Sequence, residues 1–370
     1  MATHKVSILH VTFDMTIGGV QQVIRQIIEN IDGEKFVSEI ACLDNEIGEL
    51  GMALSNKGYV IHLFDRQPGF DWILVRDLRR LIKNNHYQVI HCHQYTPYFY
   101  GLLASLFAGV KLIFTEHGRF YPDYGTYKRK LLNPVFSFFT EQIIAISSST
   151  KDALVQYENF SPKKIRVIYN GVADSFQQKF DVSRLIEELG IHKDMFIFGT
   201  VSRLQPIKNQ KLMINAFARI HEKYPQTHLL IVGDGEARKE LEMLVSQLQL
   251  ESSVTFTGFQ KDPYRFYQIF DIVLLSSFSE GLSMTLIEAM AASRPAVVTN
   301  VGGNAEVVTD GENGLVVESD NVPLFTNAME KSLINQIDLK VMGEHSRKKY
   351  LEQFSIENMV EKMMSIYIGK

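Results

Sequence analysis

The 370-residue chain is 45% hydrophobic and 22% charged, with a formal net charge of −4, which suits a globular protein with buried cores and argues against a nucleic-acid binder that relies on a broad basic field. Its two cysteines, Cys42 and Cys92, lie inside apolar runs and read as buried small hydrophobes of a reducing compartment, not as a disulfide framework. No run of about 18 uncharged apolar residues is available to span a bilayer, and the opening MATHKVSILHVTF lacks the apolar core and cleavage site of a secretory signal, so a cytoplasmic location is expected.

From the amino end, short β-branched runs alternate with longer amphipathic segments. Strands are predicted over 5–12, 36–43, 59–64, 87–92, 111–115 and 141–146. Between the first two, Val20, Val23, Ile24, Ile27 and Ile28 recur at helical spacing behind the pair Gly18-Gly19. The alternation lapses over the polar stretch 173–194. It resumes with predicted strands over 196–202, 228–232, 254–258, 271–275, 295–299 and 314–318, and residues 338–369 read as wholly helical. Strands separated by helices imply right-handed crossovers and parallel sheets covered on both faces. The economical reading is an α/β chain of two domains, 1–172 and 173–350, with a helix over 351–370 packing back on the first. Residues 1–172 carry 18 Lys and Arg against 16 Asp and Glu, and residues 173–370 carry 20 against 26, a hint that only the first domain meets something anionic. Two facing sheets would make a cleft. Open α/β sheets bind ligands beyond the carboxyl ends of their strands, so chemistry is expected on the loops that follow the strands.

The strongest local signal is Ser279-Glu280-Gly281-Leu282-Ser283-Met284-Thr285-Leu286-Ile287-Glu288-Ala289, between the strand ending at Leu275 and a helical pattern. Gly281 and Ser283 suit a tight turn and an N-cap. The first free N–H groups of that helix favour an anion such as a diphosphate. Glu280 and Glu288 can each accept two hydrogen bonds from a vicinal diol, one on a sugar and one on a ribose; the bland alternative is a capped helix with solvated glutamates. Arg203 and Lys208 follow the first strand of the second domain. There, two cations can neutralise charge building on a departing nucleotide diphosphate, or simply sit on the surface at a helix start. Gly18-Gly19 lets backbone approach a ligand at another helix N-terminus. A dinucleotide fingerprint is the weaker reading, because G-x-G-x-x-G is missing there and Arg238 replaces the third glycine after Gly233-Asp234-Gly235. The latter reads as a strand-to-helix turn, beside a nucleotide or purely structural.

His117, between Glu116 and Gly118 after a predicted strand, is expected to face the cleft. His91 and His93 bracket Cys92 at the end of another. A metal site needs three or four ligands and no further cluster is visible, so His91 is read as turned toward the core or a neighbouring loop and His93 as lining the acceptor side. No D-x-D pair, H-E-x-x-H or Walker-type loop occurs, which fits a metal-independent reaction. Residues 119–139 interleave Arg119, Lys128, Arg129 and Lys130 with Phe120, Tyr121, Tyr124 and Tyr127 before an apolar stretch. Such a mixture suits an anionic or amphipathic acceptor, for instance a lipid diphosphate, or a membrane surface. The alternative is a cleft-edge loop leading into a core helix kinked at Pro134.

The eight-residue step from Glu280 to Glu288 resembles the E-x7-E motif of the retaining glycosyltransferases of family four. Gly18-Gly19, Glu116-His117-Gly118, Asn170-Gly171-Val172, Ser202-Arg203-Leu204 with Lys208-Asn209, and Gly233-Asp234-Gly235 resemble the family's other landmarks, in family order across nearly the whole chain. The resemblance implies the GT-B fold: two Rossmann-like domains facing across a cleft, with a C-terminal helix crossing back to the first. It implies a retaining, metal-independent transfer of a sugar from a nucleotide diphosphate sugar, UDP before GDP, to a glycan or lipid-linked acceptor in bacterial surface or exopolysaccharide synthesis. His117, Glu280, Arg203 and Lys208 form the implied catalytic set, with Arg203 and Lys208 on the diphosphate. Glu280 and the amides of Gly281, Leu282, Ser283 and Met284 are implied on the sugar and Glu288 on the ribose, with Gly18, Gly19, Gly233, Gly235 and Phe259 completing the donor set. His93, Arg119, Tyr121 and Lys128 form the implied acceptor set. His117 is expected to position groups rather than act as the essential base, since the departing phosphate itself takes the acceptor's proton. No metal or other cofactor is expected, and a peripheral position on the inner face of the cytoplasmic membrane through 119–139 is. The rivals are a nucleotide-sugar epimerase of similar fold, which would turn over donor without acceptor, and a non-catalytic nucleotide-sugar-binding scaffold.

Overall fold

The computed structural model describes residues 5–118, 125–175, 180–334 and 336–369; Arg119 and Tyr121 lie outside them. The chain divides into two compact units, Met1–Ala173 with Ile356–Lys370, and Asp174–Ser355.

The first unit runs β1 (Val6–Thr12), α1 (Gly19–Asn30), β2 (Phe36–Cys42), α2 (Gly48–Asn56), β3 (Ile61–Leu63), α3 (Trp72–Asn84), β4 (Val89–His93), α4 (Tyr95–Ser105), β5 (Lys111–Glu116), α5 (Tyr127–Phe138), β6 (Gln142–Ala145), α6 (Ser148–Glu158) and β7 (Ile165–Val167). Its strands form a parallel sheet in the order β3-β2-β1-β4-β5-β6-β7. Helices cover both faces, so β4 is buried along its whole length and reads as an unbroken run, not an alternating one. α1 seats Val23, Ile24, Ile27 and Ile28 inward, as its spacing predicts. The strand β7 was not predicted. It has only three residues at the sheet edge, and the exposed Arg166 breaks its apolar pattern.

The second unit runs α7 (Val182–Glu188), β8 (Phe196–Val201), α8 (Gln210–Lys223), β9 (Thr227–Val232), α9 (Arg238–Gln247), β10 (Val254–Phe256), α10 (Tyr264–Tyr267), β11 (Ile272–Leu275), α11 (Met284–Ala291), β12 (Ala296–Thr299), α12 (Asn304–Val307), β13 (Gly314–Val317), α13 (Val322–Ile334) and α14 (Gln336–Lys349). Its parallel sheet is ordered β10-β9-β8-β11-β12-β13. The last helix, α15 (Ile356–Ile368), belongs to the first unit, where the Ile356 N–H donates to the Val172 carbonyl at 3.1 Å. The helical stretch expected over 338–369 is thus divided between α14 and α15. A π-helical turn over Tyr350–Phe354 buries Tyr350 and Phe354, and extended Ser355 ends it.

Both sheets have the doubly wound order, which reverses direction once: between β1 and β4 in the first unit, and between β8 and β11 in the second. Ligands of open α/β sheets bind where that reversal opens a crevice at the carboxyl ends of the strands. In one unit β1 leads to Gly18-Gly19 and β4 ends in His93, and in the other the loops that leave β8 and β11 carry Arg203, Lys208 and Glu280.

The helix α5 departs from the core helix that is the alternative reading of 119–139. Among its residues Asn133 and Ser137 are buried, while Tyr127, Leu131, Val135 and Phe138 are 83%, 64%, 56% and 80% exposed. The cause is Glu158, whose buried carboxylate must be satisfied. Asn133 Nδ2 donates to its Oε2 at 3.1 Å and to its carbonyl at 2.8 Å, and Arg129 donates to Oε1 at 3.1 Å. The Tyr95 hydroxyl donates to Asn133 Oδ1 at 2.7 Å. This polar stripe turns inward and leaves the apolar face outward.

Candidate active site

In the second unit, two loops at the sheet reversal are tied together. The Phe278 N–H donates to the Ile207 carbonyl at 2.8 Å, and the Ser276 hydroxyl donates to the carbonyls of Lys208 and Asn209 at 3.1 and 2.9 Å. Lys208, in a 3-10 turn over Pro206–Lys208, is thereby carried to the start of α11. Its Nζ donates to Glu280 Oε1 at 2.6 Å, and the Ser277 hydroxyl donates to the same oxygen at 2.6 Å. One carboxylate oxygen of Glu280 is therefore committed, while Oε2 has no partner among the described residues, and two of the three Lys208 N–H directions stay open. Gly302 holds this corner: at φ +51 it lies so close to the Glu280 carbonyl that a Cβ would stand 1.6 Å from the oxygen.

Ser283 occupies the N-cap position of α11 but makes no side-chain cap. This corrects the expectation that its hydroxyl closes the helix, and it leaves the first-turn amides unspent on side chains. The Thr285 hydroxyl instead donates to the Val201 carbonyl at 2.6 Å, fastening α11 to the end of β8. Leu282 and Ser283 are both buried, so they can offer a ligand only backbone. One and a half turns on, Glu288 Oε2 accepts from the hydroxyl of fully buried Tyr267 at 2.7 Å. Desolvation pushes the Glu288 carboxyl up to about 7, against the Tyr267 bond that favours its charged form.

Arg203 is exposed, and its guanidinium makes no hydrogen bond or ion pair among the described residues. Gly233 and Gly235 have an internal explanation: a Cβ on either would stand 2.0 Å from the Ser202 carbonyl oxygen or 2.4 Å from that of Leu204. They let the turn after β9 lie against the Arg203 loop, where the Leu204 N–H donates to the Asp234 carbonyl at 2.9 Å. Phe259, 58% exposed, follows in the loop after β10. A cavity of about 1170 Å³ opens at the other, amino-terminal end of this sheet, lined by Phe196, Thr227, Asp271 and Arg294, and no motif residue lines it.

In the first unit, Gly18 is the extended N-cap of α1 and Gly19 its first residue. A Cβ on Gly18 meets only the movable end of Gln21, and one on Gly19 meets nothing within 4 Å. No neighbour within the protein requires glycine at 19. Gly19→Ala is expected to hold or raise the melting temperature, since alanine is the better helix former by about 1 kcal/mol. If backbone there approaches a ligand, the same variant weakens binding, which titration calorimetry will read.

His117 follows β5, with its N–H and that of Gly118 donating to Glu116 Oε1 at 3.1 and 3.3 Å. Beneath it lies a row of histidines. His93 Nδ1 and His117 Nε2 are 2.9 Å apart, and His93 Nε2 and His10 Nδ1 are 3.1 Å apart. His91 joins the Tyr367 hydroxyl at 2.8 Å and the Thr115 hydroxyl at 2.7 Å. His93 is wholly buried and both its nitrogens are engaged, so it does not line an acceptor surface as expected; it supports His117 from below. Burial lowers His10 and His117 to about 3 and takes His91 and His93 well below the usual range, keeping all four neutral. Nitrogens of His10, His91 and His93 lie within 4.8 Å of one another, a spacing a metal ion can use, but those of His91 and His93 are already hydrogen-bonded. Gln94, just after β4, has φ +71 and ψ +164, a region otherwise left to glycine and typical of strain kept at functional sites. Neither His10 nor Gln94 carries a sequence signal that would single it out.

Residues 181–349 match the family described as Glycosyl transferases group 1, and residues 17–176 match Glycosyltransferase Family 4. EpsD of Bacillus subtilis, described as a glycosyltransferase, is 32% identical over 79% of each chain. The chain is a family 4 glycosyltransferase. The Escherichia coli UDP-Gal:α-D-GlcNAc-diphosphoundecaprenol α-1,3-galactosyltransferase is 27% identical to this transferase, covering 99% of its chain and 98% of its own. In fold the transferase is similar to Anabaena HepE, solved in complex with UDP, with a TM-score of 0.87 and 21% identity over 99% and 100% of the two chains. That likeness places it among GT-B structures.

The family 4 transferase thus gathers Arg203, Lys208, Gly233, Gly235, Glu280, the Gly281–Met284 amides and Glu288 at one end of one sheet, and Gly18, Gly19, His93 and His117 at the corresponding end of the other. Lys128 stands apart from these, exposed in the first turn of α5. Tyr267 and Ser277, which hold the two glutamates, were not anticipated, because nothing in their own neighbourhoods marks them.

Proposed function

We propose that the transferase moves a sugar from a UDP-sugar, with retention and without a metal ion, onto a glycan carried by a lipid diphosphate. The observation that carries this reading is the Lys208–Glu280 pair at the uncapped start of α11. One side chain offers unspent N–H groups to phosphate, the other a free oxygen to a sugar hydroxyl, and the first-turn amides of α11, without a side-chain cap, suit an anion. Arg203 adds a second cation, so that positive charge is supplied where charge builds on the departing UDP. Glu288 takes the ribose diol. The first unit supplies His117 and receives the acceptor, whose proton passes to the leaving phosphate.

UDP is favoured over GDP by the names of the E. coli galactosyltransferase and of HepE's ligand. The lipid diphosphate acceptor is supported by that same name and by a Campylobacter jejuni relative, 33% identical over 56% of this chain, which acts on a diphospho-undecaprenol-linked sugar. Calorimetric titration with UDP and GDP in EDTA, followed by transfer to a polyprenyl-diphosphate-linked N-acetylhexosamine, tests the whole reading. Metal-free binding of UDP and an α-linked product from an α-linked donor are expected. Preference for GDP would overturn the donor, inversion the stereochemistry, and donor turnover without acceptor would favour the epimerase.

No helix among the described residues is long and apolar enough to cross a membrane. The outward face of α5 offers a peripheral contact instead: Leu131, Val135 and Phe138 beside exposed Lys128 and Lys130, with Phe107 nearby against Phe139. Co-sedimentation with phosphatidylglycerol vesicles is expected, weaker with phosphatidylcholine. The double variant Leu131→Glu, Phe138→Glu should reduce it about tenfold or more while UDP binding is unchanged; equal binding of the variant would remove α5 as the contact.

A further inference from the structure

We propose that His93 and His10 are positioning residues that fix His117 as its Nδ1–H tautomer, so that His117 gives a substrate oxygen a hydrogen-bond donor and not a base. The proposal rests on the reading of His117 as a substrate contact, and goes beyond it to which proton the ring carries and why.

The argument begins from counting protons. A neutral imidazole has one N–H and one lone pair, and a hydrogen bond between two rings needs one of each. His117, His93 and His10 are joined nitrogen to nitrogen at 2.9 and 3.1 Å, so choosing one tautomer chooses all three. Two arrangements exist. In the first, His10 Nδ1–H donates to His93 Nε2, His93 Nδ1–H donates to His117 Nε2, and His117 carries its proton on Nδ1. In the second every proton is on the other nitrogen. The free ends of the row are His117 Nδ1 and His10 Nε2, both buried and without a hydrogen-bond partner among the described residues. Among the described residues, then, one end holds a proton and the other a lone pair without a protein partner.

His10 is wholly enclosed, whereas the His117 side chain is only part-buried. An orphaned N–H is rarer in protein interiors than an under-satisfied acceptor, so the lone pair belongs at His10 and the proton at His117, next to the strand ends where a substrate can supply an oxygen. The second arrangement also fails as a proton relay. A proton taken up at His117 Nδ1 would have to leave from His10 Nε2, which faces no acceptor. His91 does not disturb the lock, because its partners are the hydroxyls of Tyr367 and Thr115, each able to donate or accept. Burial of the row keeps its members neutral, which the lock requires.

The test is a long-range proton–nitrogen NMR spectrum of the full chain labelled with 15N-histidine, at pH 7.5 and without substrate. His117 is expected to show a protonated Nδ1 and a bare Nε2, the reverse of what a free neutral histidine prefers; Nε2–H at His117 overturns the proposal. His93→Leu removes the donor to His117 Nε2, leaves both nitrogens of that ring without a protein partner, and should leave His117 a mixture of tautomers, with kcat for sugar transfer down about tenfold and donor KM little changed. His93→Asn puts an amide N–H back near the place of His93 Nδ1 and should restore part of the Nδ1–H signal and of the rate. An unmixed Nδ1–H signal in His93→Leu would mean that the row does not set the tautomer, and would overturn the proposal. If that variant fails to fold, the parent spectrum still decides. A metal ion co-purifying at one per chain and shifting the His10 and His93 nitrogens would also overturn it. Absence of any glycosyl transfer would sink the proposed function yet leave the tautomer result standing.

Discussion

Lys208→Ala lowers kcat for sugar transfer by about 10²–10³, the effect of removing one preorganised charge from a transition state that builds anion on a leaving phosphate. The structure gives two reasons for an effect of this size. Lys208 is fixed before any ligand arrives, by its turn, by the Ser276 hydroxyl and by the 2.6 Å contact with Glu280, so little reorganisation accompanies the reaction. Its loss also leaves Glu280, whose side chain is only 9% exposed, with the Ser277 hydroxyl as its remaining bond, an under-compensated charge where a sugar should sit. Arg203→Ala should cost less, about 10-fold to 10²-fold, because the exposed guanidinium must be ordered by the donor itself. Initial rates at saturating donor, with melting curves as control, separate catalysis from folding. If both variants keep parental rates, the diphosphate lies elsewhere.

Donor affinity rises with pH across about 7, because Glu288 binds the ribose as a carboxylate. Burial pushes this group up from its ordinary 4.5 to about 7. Below that pH it is protonated and loses part of its capacity to accept from two hydroxyls, so the Kd for UDP should fall from pH 6 to pH 8 and level off above. Tyr267→Phe removes the bond that favours the charged form and should move the midpoint upward. Glu288→Ala should weaken UDP about 10-fold to 10²-fold at pH 8 and flatten the profile. A profile that persists unchanged in Glu288→Ala would assign it to another group. Stability runs the opposite way. Between 4.5 and about 7 the folded protein holds a proton that the unfolded chain has released, so this group's contribution is greatest below 4.5 and declines as pH rises through 7. Glu288→Gln should therefore melt higher than the parent at pH 8 and close to it at pH 5.

Most of this architecture can be read in the sequence, since parallel strands covered on both faces appear as short apolar runs, and the chemistry sits on the loops after them. The Glu280–Glu288 step and the two cations are legible for the same reason: they interrupt an apolar pattern at a strand end. What escapes reading depends on partners far along the chain. The outward turn of α5's apolar face is set by Glu158, 25 positions from Asn133; without sight of that carboxylate the sequence leaves a core face and an amphipathic surface both open. His93 looks like a strand-end ligand until His10, 83 positions earlier, is placed beside it. The hydroxyl of Ser283 has the right chemistry for a cap and stands at the N-cap position, yet makes no cap bond, which residue type alone does not show.

The first unit is not made from one continuous stretch of chain. During synthesis, residues up to Ala173 leave the ribosome well before α15 exists, with all of Asp174–Ser355 still to come. Until then His91 lacks the Tyr367 hydroxyl and the Gly171 N–H lacks the Met359 sulfur, 3.2 Å away in the finished protein. The packing of the first unit is therefore completed only when translation is nearly over, and a chain cut short before α15 lacks both contacts.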